Sequence, residues 1–443
     1  MIVSFSMENW MSFRDRVSFS MVASREKQHS NRIPRVKKYQ TRILPVAAIY
    51  GANASGKTNF FNALFFIRYL VMEGTAPDKL IPVEPYKLDG AYSEKPSRFS
   101  LELLIDETIY EFSFGATSKS ITEERLVEIT KTNEKILYDR KDGNPNFHSS
   151  LNKDEFLHFA FQGTRDNQLF LTNSVSQKVD RFKSVYSWFQ NTLNLIAPTS
   201  VYRDFGNFLD KRHPLYSRMN EVLSQLDTGI SRLSGEEVSF DNIPFEESAK
   251  NELRKSVREG EHVPIFFPPT NERFVFTRNA GELVAKKLFA LHSKPDGTDV
   301  RFEIWQESAG SQRLIDLLPA FFTNILGSNR VIVIDELDQS LHTLLTRKLL
   351  EMYLENCGSQ SRSQLLFTTH DVLLMDQELL RRDEMWVTER NLEGISDIFS
   401  FSEYKDIRYD KDIRKSYLQG RLGGVPRILL NVNSTLAGRK DNN

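Results

Sequence analysis

Cysteine is almost missing from this chain: Cys357 alone among 443 residues. That excludes an intrachain disulfide framework and a cysteine-based zinc site, as in proteins of a reducing compartment, and leaves Cys357 as a small packing residue. Net charge is scarce too. Lys and Arg number 58 against 59 Asp and Glu, giving −1 and a pI near 6.7. No global field then draws the chain onto nucleic acid or an anionic membrane, so any such contact is local. Uninterrupted apolar runs of about 18 residues, the length a membrane helix needs, do not occur. The N-terminus alternates apolar and polar residues, so it reads as two β-strands rather than a signal peptide, and the expected location is the cytoplasm. Long heptad arrays, internal repeats and low-complexity segments are lacking, which excludes a coiled-coil arm.

What is present is enough apolar (40%) and aromatic (11%) content for a substantial core. Leu44 to Tyr50 reads as a buried strand, and TNFFNALFFIRYLVM after it has helical spacing, with Phe61, Leu64, Phe65 and Phe66 on or near one face. RFSLELLI and TIYEFSFG, separated by Asp106 and Glu107, read as a hairpin within a β-meander over 97–147. LYSRMNEVLSQL and ESAKNELRKSVREG read as helices. The expected organisation is an N-terminal part at 1–167, an inserted, mostly helical lobe at 168–262, and a C-terminal part at 263–443.

Four stretches carry chemistry. In IYGANASGKTNF, Gly51 and Gly56-Lys57-Thr58 fit G-x-x-x-x-G-K-[ST] between a predicted strand and a predicted helix. Glycines let the backbone N–H groups curl toward phosphate oxygens, and the helix N-terminus adds positive charge. The loop Gly51, Asn53, Ala54, Ser55, Gly56, Lys57, Thr58 and Asn59 is expected to hold ATP. Lys57 would reach the β and γ phosphates, and the Thr58 hydroxyl would ligate Mg²⁺. In RVIVIDELDQSLH, an apolar run ends in two carboxylates. Asp335 is expected in the Mg²⁺ shell and Glu336 as the residue that polarises the attacking water. In WQESAGSQRLIDLLPAFF, Ser308 reads as a helix N-cap or, with Gly310, as an anion-binding helix start aimed at another subunit's nucleotide. Finally, QLLFTTHD reads as a buried strand ending in His370, either a structural histidine, as a lone one usually is, or, from the end of a core strand, a hydrogen-bond partner for a γ phosphate.

In this order the four pieces resemble ABC-type ATPase heads, the group that includes chromosome-maintenance, RecF-like and OLD-like ATPases. GANASGKT looks like a Walker A motif, ESAGS like a degenerate signature, VIVIDE like Walker B, and TTH like a switch histidine. The resemblance implies an α/β P-loop NTPase of ABC-head type with a flanking meander, forming a homodimer or higher oligomer that clamps ATP between copies. Ala309, Ser311 and His342 depart from the commonest pattern, and Gln162 and Gln168 are rival candidates for a γ-phosphate sensor. FSMENWMSFRD, DELDQSLH and YLQGRLGGVPRI are similar to stand-alone ATPase subunits of prokaryotic antiphage and abortive-infection systems, the RloA and AbiL type, with PtuA and AriA more distant. That implies control of a separately encoded effector, a nuclease. A fused nuclease is not expected, since the 73 residues after His370 are too few for an extra α/β domain with its acidic metal cluster. Nucleic-acid binding through Arg408, Lys411, Arg414, Lys415, Arg421 and Arg427 is the alternative, with a steep salt dependence.

Overall fold

The computed structural model describes residues 1–425 apart from 142, 199, 201, 203–210, 212, 271, 323–328 and 405–411. Short, fully buried strands build its centre. The six-stranded sheet runs in the order Leu193–Ile196, Val331–Ile334, Gln364–Thr368, Val46–Tyr50, Met385–Arg390, Ser396–Ser400. All pairings but the last are parallel. Apolar runs without alternation suit such strands because both faces are covered. One strand, Gln364–Thr368, is thus interposed between the strand that feeds the glycine loop and the strand that ends in the carboxylates. Its register, with Phe367 opposite both Ile334 and Ala48, brings Asp335, Thr368 and Gly51 to the same C-terminal edge.

The expected meander is a seven-stranded antiparallel sheet that also takes in the two N-terminal strands, Ile2–Glu8 and Val17–Ser20. Asp106 and Glu107 both adopt positive φ, 46° and 59°, the two-residue turn that matches strand twist in a hairpin. The helix after the glycine loop, Lys57–Met72, packs against this sheet through Phe60 and Phe66, whose rings lie 5.4 Å from Phe5 and Phe99 respectively. Phe61 and Leu64 are buried as expected, but Phe65 is 53% exposed, one residue outside the stripe. On the opposite face of the central sheet, helices Ala309–Phe321 and Thr343–Glu355 close a second core.

Residues 168–262 do not form one helical lobe. Helix Phe170–Ser176 joins the first core, and Leu193–Ile196 is an edge strand of the central sheet. From 214 onward, a five-stranded antiparallel sheet made by Arg232–Val238, His262–Phe267, Glu272–Asn279, Glu282–Ser293 and Asp299–Glu303 carries helices Pro214–Gln225 and Glu247–Ser256. Helix Glu247–Ser256 supplies Leu253 to a small core with Phe274 and Phe276. Among the described residues no helix is long and apolar enough to cross a membrane.

Candidate nucleotide site

The glycine loop owes its shape to what crowds it. Gly51 has φ 149°, and a β-carbon there would meet Ser55 Oγ, Thr388 O and Thr388 Oγ1, each at 2.5 Å. Gly56, at φ 117°, has the Phe13 ring and the Ser396 hydroxyl 3.0 Å from where its β-carbon would stand. Only glycine combines these angles with this closeness. Ala54 also takes a positive φ, 59°, completing the curl that leads into the helix at Lys57.

Lys57 is buried, and its ammonium donates to the carbonyls of Gly51 at 2.8 Å and Ala52 at 3.0 Å. Burial draws its pKa from 10.5 down to about 8, against the opposing pull of Asp335, Asp338 and Glu336. The Lys57 Nζ lies 3.4 Å from His370 Nδ1. Desolvation first, and then the Lys57 charge, hold His370 below the usual histidine range. His370 is exposed at the cleft and is fixed through its backbone N–H, which donates to the Asp338 carboxylate at 3.2 Å.

At the end of the carboxylate strand, Asp335 is buried and accepts the Thr368 hydroxyl at 2.6 Å. Glu336 turns into the left-handed region, φ 51°, and its N–H donates to the same Thr368 oxygen at 2.8 Å. This reversal sends consecutive carboxylates different ways: Asp335 inward, Glu336 into the cleft. A cleft of about 600 Å³ gathers Asn53, Ala54, Ser55, Gly56, Lys57, Thr58, Asn59, Glu336 and His370. It also gathers Met11 and Ser12, from the N-terminal stretch, and residues that no motif announced: Tyr86, Lys87, Leu88 and Arg390. A long sequence separation hides the latter, and only the fold brings them in.

Two loop side chains are committed to the protein itself. Ser55 Oγ sits 2.6 Å from Thr388 Oγ1, and Asn59 Nδ2 donates to Ser12 Oγ at 2.7 Å. The Thr58 hydroxyl, by contrast, is exposed in the cleft. Thr58 and Asp335 carry hard oxygens of the kind Mg²⁺ takes, the first in the cleft and the second buried with Oδ1 bound by Thr368. Among the described residues no cluster of three or more His, Cys, Asp or Glu side chains could hold a metal.

Ser308 and Gly310 do not line this cleft. The Ser308 hydroxyl caps helix Ala309–Phe321 by accepting the Ser311 N–H at 3.0 Å, and the residue is exposed. Gly310 lies against the Ser340 carbonyl, 2.7 Å from where a β-carbon would stand, so the helix start packs onto the loop that follows Asp335. His342 caps helix Thr343–Glu355 through Nδ1, which accepts the Leu344 N–H. Neither glutamine proposed as a phosphate sensor reaches the cleft: Gln162 faces a separate hollow with Arg140 and His158, and Gln168 is buried beside Arg140. Of the basic tail, Lys415 and Arg421 are exposed and Arg414 is half-buried, while Arg408, Lys411 and Arg427 lie outside the described residues.

No curated protein matches the chain. Among solved structures, the SMC head domain from Thermotoga maritima is 13% identical over 90% of this chain and 98% of that one, with a TM-score of 0.35. The SMC head bound to the C-winged helix domain of ScpA is 14% identical over 91% and 98%, with a TM-score of 0.39. The Smc head with an extended coiled coil bound to the C-terminal domain of ScpA, derived from Pyrococcus furiosus, is 12% identical over 90% and 96%, with a TM-score of 0.33. Residues 46–376, from the strand that feeds the glycine loop to just past His370, match one family model. By that match, over more than half of its length, the chain belongs to the P-loop ATPase family described as "AAA domain, putative AbiEii toxin, Type IV TA system".

Proposed function

We propose that this protein hydrolyses ATP as a dimeric switch of a prokaryotic antiviral defence system and controls a separately encoded effector, a nuclease. The observation that carries the hydrolytic part is the convergence of Lys57, Glu336 and His370 on one cleft, with Asp335 buried beside it. In this reading the backbone N–H groups of the loop and the Lys57 ammonium hold the phosphates, and Glu336 accepts a proton from the attacking water. His370 donates to the γ phosphate. Thr58 and Asp335 would hold Mg²⁺, which would supply positive charge to the phosphate oxygens.

The dimeric part rests on Ser308, an exposed helix start that does not line the cleft of its own chain and so is free to meet a second copy's nucleotide. The defence part rests on the family description, which names a toxin of a toxin–antitoxin system, and on the resemblance to abortive-infection ATPases. No specific observation favours the alternative, a DNA-binding ATPase of RecF or OLD type.

Glu336→Gln should bind ATP with Mg²⁺, hydrolyse it at least about 100-fold more slowly, as loss of a positioned base implies, and gain mass in light scattering when ATP is added. A variant that stays monomeric with ATP would remove the dimeric switch; unchanged turnover would remove Glu336 from the chemistry.

A further inference from the structure

The glycine loop is held from behind by a strand that no nucleotide motif includes. Thr388, fully buried in strand Met385–Arg390, shares a hydrogen bond of 2.6 Å with Ser55 Oγ and has its hydroxyl 3.2 Å from the Tyr50 carbonyl. Those partners lie on either side of Gly51, whose missing side chain is what lets Thr388 approach. The next strand repeats the arrangement at the loop's other end: Ser396, opposite Gly56, bonds Ser12 Oγ at 2.7 Å. Behind Thr388 lies the C-terminal segment. Gly424, at φ 68°, is packed so tightly on Val387 that any β-carbon would collide with it, and Gly423 is packed as tightly on the Glu389 carboxylate. The Tyr417 hydroxyl donates to the Gly424 carbonyl at 2.8 Å and locks the turn. The same segment, through Tyr417, Leu418 and Gly424, faces loop residues 51–55 across a hollow of about 620 Å³.

We infer that Thr388 is a positioning residue for the triphosphate, and that the Gly423–Gly424 turn, pressing on its strand, makes nucleotide affinity depend on the C-terminal segment. This rests on the nucleotide-binding reading proposed above. The physical basis is preorganisation. Ser55 tied to Thr388 keeps the loop in its curled form before any ligand arrives. Untied, the loop populates other forms, and apparent affinity falls by the fraction still competent.

The test is equilibrium binding of a fluorescent ATP analogue, with steady-state ATP hydrolysis beside it, on the full chain. Thr388→Val keeps shape and removes the hydroxyl; Kd and KM should rise about tenfold, the scale of one buried hydrogen bond, with kcat within about twofold. Thr388→Ser should restore both. Gly424→Ala should raise Kd in the same direction. Thermal midpoints without nucleotide separate this from simple unfolding: a Thr388→Val protein as tight as wild type, or one whose weak binding is matched by an equally weak Thr388→Ser protein, overturns the role of Thr388. Gly424→Ala with wild-type Kd overturns the role of the C-terminal turn. If wild type itself binds no nucleotide, it is the function proposed above that fails.

Discussion

Thr368 donates its hydroxyl to Asp335 Oδ1 at 2.6 Å, and the same oxygen accepts the Glu336 N–H at 2.8 Å. One side chain on the interposed strand therefore sets the direction of both carboxylates. Thr368→Val removes donor and acceptor together and leaves the buried Asp335 oxygen, at about 1–3 kcal/mol, and the partly buried Glu336 N–H without this partner. ATP turnover is expected to drop by at least about tenfold while nucleotide binding through Lys57 persists. Measured kcat and Kd decide it: unchanged kcat would show that the carboxylates hold their positions unaided.

The helix that starts at Ser308 is tied to the accessory sheet by a buried fork, Arg273 Nε to Asp316 Oδ1 at 2.9 Å and Arg273 to Asp316 Oδ2 at 2.8 Å. Burial pushes the Asp316 carboxyl up, and Arg273 opposes the rise. Arg273→Met strands a buried carboxylate and is expected to lower stability by about 3–5 kcal/mol, whereas Arg273→Met with Asp316→Leu recovers most of the loss. Urea unfolding of the two single variants and the double variant reads the coupling directly. Additive losses would mean that the fork is incidental.

Glu384 is fully buried; its Oε2 accepts from Arg32 and from the Arg381 N–H, while Oε1 has no hydrogen-bond partner among the described residues. Desolvation raises its pKa from 4.5 to about 7, against the pull of Arg32. The folded carboxyl thus binds a proton more tightly than the unfolded one. Its contribution to stability is full below about pH 4.5 and is lost as pH rises through about 7. Glu384→Gln removes this dependence, so the variant should gain on wild type between pH 5 and 8, by at most about 1.4 kcal/mol per pH unit. Unfolding midpoints across that range test it; parallel pH profiles would contradict the assignment.

The glycine-loop helix offers a contrast between adjacent phenylalanines. Phe66 is 4% exposed and Phe65 is 53% exposed. Phe66→Ala should cost about 3–5 kcal/mol through lost burial and a cavity, and Phe65→Ser no more than about 0.5 kcal/mol. Thermal denaturation distinguishes them. Equal losses would mean that Phe65 is covered in solution.

Much of the site could be read before the fold was seen, because its chemistry is local. Gly51, Gly56, Lys57 and Thr58 need fixed spacing at a strand-to-helix turn, and Asp335, Glu336 and His370 each end an apolar run. Within the accessory sheet, strand Arg232–Val238 escapes the sequence for the opposite reason. Arg232–Val238 is short and carries Gly235 and two glutamates, and it becomes a strand only by pairing with Glu282–Ser293, some fifty residues away. Phe65 was misassigned because an apolar run spanning two faces of a helix does not say which face a sheet will cover.

By itself, then, the sequence determined the loop that curls around phosphate, the strands that end in acid, and the hairpin at Asp106–Glu107, since backbone freedom, charge and period act over a few residues. Only tertiary structure decided that Thr368 orients both carboxylates, that Thr388 and Gly424 stand behind the loop, that Arg390 and Tyr86 line the cleft, and that Ser308 does not. Those relations join residues up to several hundred positions apart. They arise from strand order and close packing, which no local pattern encodes.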